Sequence, residues 1–245
     1  MRVWDIPPPF LNRGSLLGEH REIHGIFNIL TLGKKGYSRH PETLRWEGCL
    51  NALAMRHDMV ASEMVLRGYN HLSPLPKDSS DLKWPDTYID PPQKQYELLK
   101  DKYLFKVDGP IPIPLDSRDL WGTHKFSVLA RDERFYRETG PRVAGMSEGL
   151  DGGLASDLVK LLRLPPSHGG IENALDHMWG FLKGSVNTEE KSFVAEARDK
   201  GPAAFLGEIR RLSEHHGTNY LLQSTALYEL NFFLDDNHEA KNKRR

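Results

Sequence analysis

A short stretch near the start of the chain combines a carboxylate with small residues at helical spacing. Residues 16–27 read LLGEHREIHGIF, and a serine immediately precedes them. At the helical period, Ser15, Gly18, Glu22 and Gly25 fall on one stripe. Each glycine inside a helix costs roughly 1 kcal/mol relative to alanine, so two on one stripe need a reason. Close approach of a substrate backbone would be such a reason, and a carboxylate in the resulting groove could transfer protons.

Two histidines in the same stretch suggest a different chemistry. His20 and His24 are four residues apart and share one helix face, as metal-binding histidines often do. The order is His-Arg-Glu-Ile-His rather than His-Glu-x-x-His, so Glu22 should point away from the histidine face. A third ligand would have to come from His40 or His71. We therefore predict no metal site, and nothing in the sequence implies an organic cofactor.

The composition describes the scaffold that must position these residues. The chain has 245 residues, 38% of them hydrophobic and 27% charged, with a formal net charge of −1. These values are typical of a globular protein with one large domain or two modest ones. The single cysteine excludes a disulfide framework and a cysteine-rich zinc site. Because no signal peptide or membrane-spanning apolar run is visible, the predicted location is the cytoplasm and no membrane partner is expected.

Apolar periodicity predicts three helices in the first 108 residues. The first contains the stretch above and ends near Gly33, the second covers 41–67, and the third covers about 92–104. Residues 71–92 are rich in proline, serine and aspartate, and they predict an irregular segment.

Residues 109–114 read GPIPIP and predict a semi-rigid boundary between two domains, 1–108 and 109–245. Asn187 followed by Glu190 predicts a capping box at a helix start. No alternating strand pattern is visible, so the predicted fold class is all-α. The basic tail from about 237 is predicted to be disordered. In the second half, the first predicted helix begins at Asp116 or Ser117 and runs through Leu129, and the helical pattern after it ends at Gly140. Further helices are predicted over 152–163, 170–183, 188–200 and about 203–216.

Four strings in the first half of the chain match known motifs in order and spacing. They are Met1-Arg2-Val3-Trp4, Gly18-Glu19-His20-Arg21-Glu22, His40-Pro41 before a long helix ending at Arg67-Gly68-Tyr69-Asn70, and Tyr88-Ile89 before a lysine-bearing helix. Over residues 1–106 the chain resembles the endonuclease V-like family of pyrimidine-dimer DNA glycosylases. The resemblance implies a three-helix catalytic domain with DNA glycosylase and β-elimination (AP lyase) activity. Its partner would be double-stranded DNA containing a damaged or modified base.

The resemblance also implies which groups do the chemistry. The nucleophile would be the N-terminal amine, here that of Met1, because the bulky Arg2 disfavours removal of the methionine. Chain amines have ordinary pKa values of about 7.7–8.0, against about 10.4 for lysine, so a useful fraction is neutral. Glu22 would protonate the opening sugar and then abstract its C2′ proton. Where relatives often carry another arginine after the motif, this chain has Gly25 preceded by His24.

Basic side chains near this motif are the predicted DNA contacts. The loop at 33–41 carries three fixed positive charges and an aromatic residue but no acid, which suits phosphate binding, although a solvated loop has the same composition. The predicted contacts are Arg2, Arg21, His24, Lys34, Lys35 and Arg39. Two alternatives stay open: the same chemistry on another modified base or on RNA, and a catalytically inactive nucleic-acid-binding module. An enzyme of this kind requires a free N-terminus, whereas a binding module tolerates an N-terminal tag.

The second half of the chain has its own resemblance. Its motifs are Thr123-His124-Lys125-Phe126, Tyr136-Arg137-Glu138, and the run from Asn173 to Lys183. Over about 117–230 these are similar to the YbgA-like domain of unknown function. The resemblance implies a helical accessory domain and names no chemistry. The sequence does not predict the lesion, the role of this domain or the oligomeric state.

Overall fold

The computed structural model describes residues 1–78, 82–146 and 148–234. These described residues form twelve α-helices and one 3-10 turn, and they contain no strand. The all-α prediction is therefore confirmed. The chain divides into two compact units, Met1–Ile113 and Pro114–Arg245. The tail predicted to be disordered from about 237 lies outside the described residues.

The N-terminal unit begins with an extended segment and a 3-10 turn at Pro8–Phe10. Asn12 caps the first helix by accepting a hydrogen bond from the Ser15 N–H at 2.9 Å, and Gly33 ends it in the left-handed conformation. The buried face of this helix includes Leu16, Ile23 and Ile26. The four α-helices of the unit are α1 (Arg13–Leu32), α2 (Pro41–Arg45), α3 (Leu50–Leu66) and α4 (Pro92–Tyr103).

The prediction of one helix over 41–67, and hence of three helices in this unit, is wrong. The chain leaves the helical path after Arg45 and resumes it at Leu50. Between them, Gly48 has a φ of +72°, which a right-handed helix cannot contain. Helices α2 and α3 are therefore separate elements, and the last residue of α2, Arg45, is buried.

Residues 109–111 pack against the N-terminal segment. The Ile111 N–H donates to the Pro9 carbonyl at 3.2 Å, and Ile111 is fully buried. A Cβ atom on Gly109 would overlap the backbone of Pro9 and Phe10, so only glycine fits there. The first part of the predicted boundary segment is thus packed inside the N-terminal unit, and the two units divide between Ile113 and Pro114.

The C-terminal unit is a bundle of helices around one apolar core. Phe126, Leu175, Ile209 and Leu230 come from four different helices and lie in this core. Its helices are α5 (Ser117–Leu129), α6 (Glu133–Ala144), α7 (Gly152–Leu162), α8 (His168–Leu182), α9 (Thr188–Lys200), α10 (Pro202–His215), α11 (Asn219–Leu222) and α12 (Ala226–Leu234).

The helix boundaries predicted in this unit lie within two residues of the observed ones, except at the end of α6. The Glu190 N–H donates to Asn187 Oδ1 and the Asn187 N–H donates to Glu190 Oε2, both at 2.9 Å, which confirms the capping box. The predicted stop at Gly140 is wrong, because α6 continues through Pro141 to Ala144. Burial of Val143 on the next turn stabilises this continuation.

Candidate active site

A buried ion pair fixes the N-terminal segment against two helices. Glu19 of α1 accepts hydrogen bonds from Arg56 of α3 at 2.8 and 3.0 Å. The same carboxylate accepts the Trp4 N–H at 3.0 Å. The Arg56 and Glu19 side chains are only 4% and 0% exposed, so the pair is shielded from water. Glu19 is therefore the buried, structural carboxylate of the motif, and the sequence did not distinguish it from its neighbours.

A second buried network holds the residues on either side of Trp4. Arg45 of α2 binds Asp5 at 2.8 Å and Glu42 at 2.9 Å. Gln95 of α4 accepts the Asp5 N–H and donates to the Asp5 carboxylate, both at 2.8 Å. The Val3 N–H donates to Glu42. Side chains from α1, α2 and α4 therefore fix three consecutive backbone N–H groups just after the start of the chain.

The first two residues are less enclosed than the three that follow. The Sδ atom of Met1 lies 3.9 Å from Thr43 Oγ1 of α2. Arg2 forms an ion pair with Asp90 at 2.6 Å, and its guanidinium lies 4.8 Å from the centre of the Trp4 ring. Both side chains of this ion pair are about one-third exposed. An incoming phosphate would therefore have to compete with Asp90 for Arg2.

The small-residue stripe predicted on α1 is open on both sides of Glu22. Gly18, Glu22 and Gly25 are all partly exposed, whereas Ser15 is buried. A Cβ atom added at either glycine would meet no atom outside its own helix within 4 Å. Glu22 follows Glu19 by three residues, so the two side chains are neighbours on the helix surface. Glu22 thus lies one turn from the carboxylate that holds Trp4, beside bare backbone that a ligand can approach.

A lysine that no sequence pattern singles out lies at the end of this stripe. Lys102 of α4 donates to Ser15 Oγ at 3.0 Å. Burial, and then the positive charges of Lys106 and Arg2, lower the pKa of Lys102 below its ordinary value. The contact joins residues 87 positions apart, so no local pattern could reveal it. Lys102 is a second amine that could form an imine with a sugar at this site.

The predicted phosphate contacts in the loop between α1 and α2 are accessible. Lys34, Lys35 and Arg39 are exposed, and within the described ranges none of them forms an ion pair. Tyr37 of the same loop is 72% exposed and adopts a positive φ of 56°. Arg21 is also exposed, with its Nε donating to a carbonyl one turn earlier at 3.3 Å. The loop therefore presents uncompensated positive charge to solvent.

His24 lies in a cluster of four imidazoles. His20 and His24 of α1 meet His57 of α3 and His71, and one ring nitrogen from each lies within 4.8 Å of the others. Of the two histidines that the sequence suggested as a third ligand, His71 is in the cluster. His40 instead caps α2, where its Nδ1 accepts a backbone N–H at 3.1 Å. His57 was not among the candidate ligands that the sequence suggested.

The cluster favours neutral imidazole rings. Burial lowers the pKa of His20 to about 4, and repulsion from His57, His24 and His71 adds to the effect. Burial and repulsion from His57 and His71 also lower the pKa of His24. At neutral pH these two rings are therefore uncharged, which is the form that accepts hydrogen bonds or binds metals.

Two family models match separate segments of this helical chain. Residues 1–76 match the family described as pyrimidine dimer DNA glycosylase. Residues 125–229 match a family described as a protein of unknown function (DUF1722). Each match covers less than half of the chain, and searches of the curated proteins and the solved structures gave no match.

Both resemblances predicted from the sequence are confirmed by these matches. The N-terminal segment is similar to a family described as a DNA glycosylase. The match ends at residue 76, so the Tyr88-Ile89 motif and α4 lie beyond it.

Within the described ranges, no helix is both long and apolar enough to cross a membrane.

Proposed function

We propose that the N-terminal unit is a cytoplasmic DNA glycosylase with β-lyase activity that uses the Met1 amine as its nucleophile. Its substrate would be double-stranded DNA containing a damaged base, with a pyrimidine dimer suggested by the family match. The observation that carries this proposal is the fixing of residues 3–5 by buried side chains beside the open Glu22 stripe. A terminal nucleophile needs such support, because reacting atoms must be held about 3–3.5 Å apart.

In the proposed reaction, the neutral Met1 amine attacks C1′ as the glycosidic bond breaks, and the proton that the amine loses passes to the departing base. Glu22 protonates the ring oxygen, the sugar opens, and an imine forms between the amine and C1′. The Glu22 carboxylate then removes a C2′ proton, and the 3′ phosphate leaves by β-elimination. Water hydrolyses the imine and restores the amine. Access to C1′ requires the nucleotide to be distorted or flipped, which costs least where base pairing is already damaged.

We propose that the DNA contacts of this unit are Arg2, Arg21, Lys34, Lys35 and Arg39. The two lysines and the arginine of the loop are exposed and uncompensated, and Arg2 is held beside Trp4. The DNA contact predicted for His24 stays a prediction. His24 Nε2 lies 3.2 Å from His57 Nε2. The C-terminal unit would extend binding or support stability without catalytic groups, since its family match names no chemistry.

Borohydride trapping of the imine tests the nucleophile. Untagged protein should have the intact mass of the full 28.0 kDa chain, which shows that Met1 is retained. After reduction with duplex DNA that contains a pyrimidine dimer or an abasic site, mass spectrometry should find DNA attached to the peptide beginning at Met1. The Lys102→Arg variant should trap as well as the wild type. Cross-linking at Lys102, or undiminished trapping by N-terminally acetylated protein, would show that another amine is the nucleophile.

The double change Lys34→Ala with Lys35→Ala should weaken binding to damaged and undamaged duplexes alike. Each lost phosphate contact reduces the slope of log K against log salt by about 0.9, so a fall of up to about 2 units is expected. Fluorescence anisotropy at several salt concentrations measures this slope. Lys94→Ala is a suitable control, because that exposed lysine already pairs with Glu97 at 3.0 Å. Weaker binding to the damaged duplex alone would mean that the loop contacts the lesion.

A further inference from the structure

The four-histidine cluster lies on a different face of α1 from Glu22. His20 and His24 are each two residues from Glu22, which corresponds to about 200° around the helix. The other two rings come from α3 and from the segment that follows it. Three separate parts of the backbone therefore bring imidazoles to one point outside the proposed active site.

The spacing of the ring nitrogens suits a single metal ion. His57 Nε2 and His24 Nε2 are 3.2 Å apart. Two nitrogens bound to one tetrahedral Zn²⁺ at about 2.0–2.1 Å would be about 3.3 Å apart. All four candidate ligand atoms lie within 4.8 Å of one another, so small rotations of the rings would bring them to bonding distance.

An adjacent carboxylate orients the most deeply buried ring. His57 is fully buried, and its Nδ1 lies 2.8 Å from Asp58 Oδ1. The other oxygen of the Asp58 carboxylate pairs with Lys77, so this carboxylate acts as an acceptor and His57 donates to it. His57 Nδ1 therefore carries the hydrogen, and the lone pair of Nε2 faces the cluster. Metal-binding histidines are commonly held by a carboxylate in this way.

One ring nitrogen of His20 in the cluster lacks a protein partner within the described ranges. His20 Nε2 is buried and has no hydrogen-bond partner within the described ranges. Leaving a buried polar atom unsatisfied is unfavourable, and native structures rarely do so without a ligand, ion or water. The neighbouring His24 Nε2 lies within 3.3 Å of Ser73 Oγ, so polar groups surround the same point.

We propose that His20, His24, His57 and His71 form a binding site for one Zn²⁺ ion. Imidazole nitrogens suit divalent first-row transition metals, and Zn²⁺ most readily accepts four protein ligands in a compact arrangement. Because the protein fills all four positions, the site is structural and activates no water. It ties α1, α3 and the segment after α3 together, and it does not depend on the proposed glycosylase activity.

Another histidine group in the chain provides a matched comparison. Glu190, His215 and His216 of the C-terminal unit also place three candidate ligand atoms within 4.8 Å of one another. His215 is 65% exposed in its side chain, and Glu190 Oε2 already accepts the Asn187 N–H of the capping box. Because His215 is exposed and one Glu190 oxygen is already used by the helix cap, variants of the two histidines can report nonspecific metal binding.

Metal titration of the full-length, untagged protein tests the site. After removal of metal with a chelator, we expect one Zn²⁺ per chain by calorimetry and a rise in the unfolding temperature. Co²⁺ used as a probe should give the intense visible absorption of a tetrahedral complex. Wild-type protein that takes up no Zn²⁺, or that takes up Cu²⁺ or Ni²⁺ but no Zn²⁺, would overturn the proposal.

Variants then locate the metal. Asp58→Asn should weaken Zn²⁺ binding by about 10- to 100-fold, because it alters only the group that orients His57. His71→Gln removes a partly exposed ligand and should cause a loss greater than about 100-fold. The double change His215→Gln with His216→Gln should have no effect on the stoichiometric site. Circular dichroism of the metal-free proteins establishes that each variant is folded, and unchanged Zn²⁺ affinity in folded His71→Gln would refute the site.

Discussion

Replacing Glu22 with glutamine is expected to reduce strand cleavage at an abasic duplex by about 10²- to 10⁴-fold. The substitution keeps the size of the side chain and removes only the group that accepts and donates protons. Because Glu22 is partly exposed and lies beside open backbone, the fold should tolerate the change. Single-turnover cleavage kinetics measure the loss, and anisotropy should show nearly unchanged affinity for the same duplex.

The control for this experiment has to avoid the other carboxylate of the motif. Glu19 is buried and paired with Arg56, so its replacement would alter folding as well as chemistry. Glu47, in the turn between α2 and α3, is exposed and is the better choice. If Glu22→Gln loses no more cleavage activity than Glu47→Gln does, Glu22 is an ordinary surface carboxylate and takes no part in catalysis.

Replacing Arg56 with methionine is expected to destabilise the N-terminal unit by about 3–5 kcal/mol, because it leaves the buried Glu19 carboxylate without its partner. Urea unfolding followed by circular dichroism measures this loss. The exposed Arg21 on α1 provides the control, since Arg21→Met should change stability by no more than about 0.5 kcal/mol.

A double variant separates stability from positioning. Replacing Glu19 with leucine as well as Arg56 with methionine removes both charges, and it should recover much of the lost stability. It still lacks the acceptor for the Trp4 N–H, so we expect cleavage to stay low in a folded protein. A stable double variant with full activity would show that this ion pair does not position the nucleophile.

Local patterns predicted the helices well because the relevant interactions are local. The Asn187–Glu190 capping box and the small-residue stripe on α1 depend on residues within one or two turns. The helix break at Gly48 was visible only as a single glycine, which helices often tolerate. Whether such a glycine breaks the helix depends on packing with other parts of the chain.

The polar contacts that organise the site could not be predicted in the same way. Periodicity shows which face of a helix is buried but does not show which residue it meets. Glu19 pairs with a residue 37 positions away, and Asp5 with one 90 positions away. One signal was available for His57, which shares the face of α3 that buries Leu53 and Val60. A polar residue on an apolar face usually has a buried partner.

The contact between residues 109–111 and Pro9 bears on how the molecule folds as it is synthesised. It joins the two ends of the N-terminal unit, and α4 likewise supplies Gln95 to fix Asp5. Helix α1 can form as soon as it leaves the ribosome, but the segment at the start of the chain has to wait for these distant partners. The proposed active site is therefore the last part of the N-terminal unit to be completed, and a nascent chain that stops before α4 would expose the basic loop between α1 and α2 without an ordered N-terminal segment.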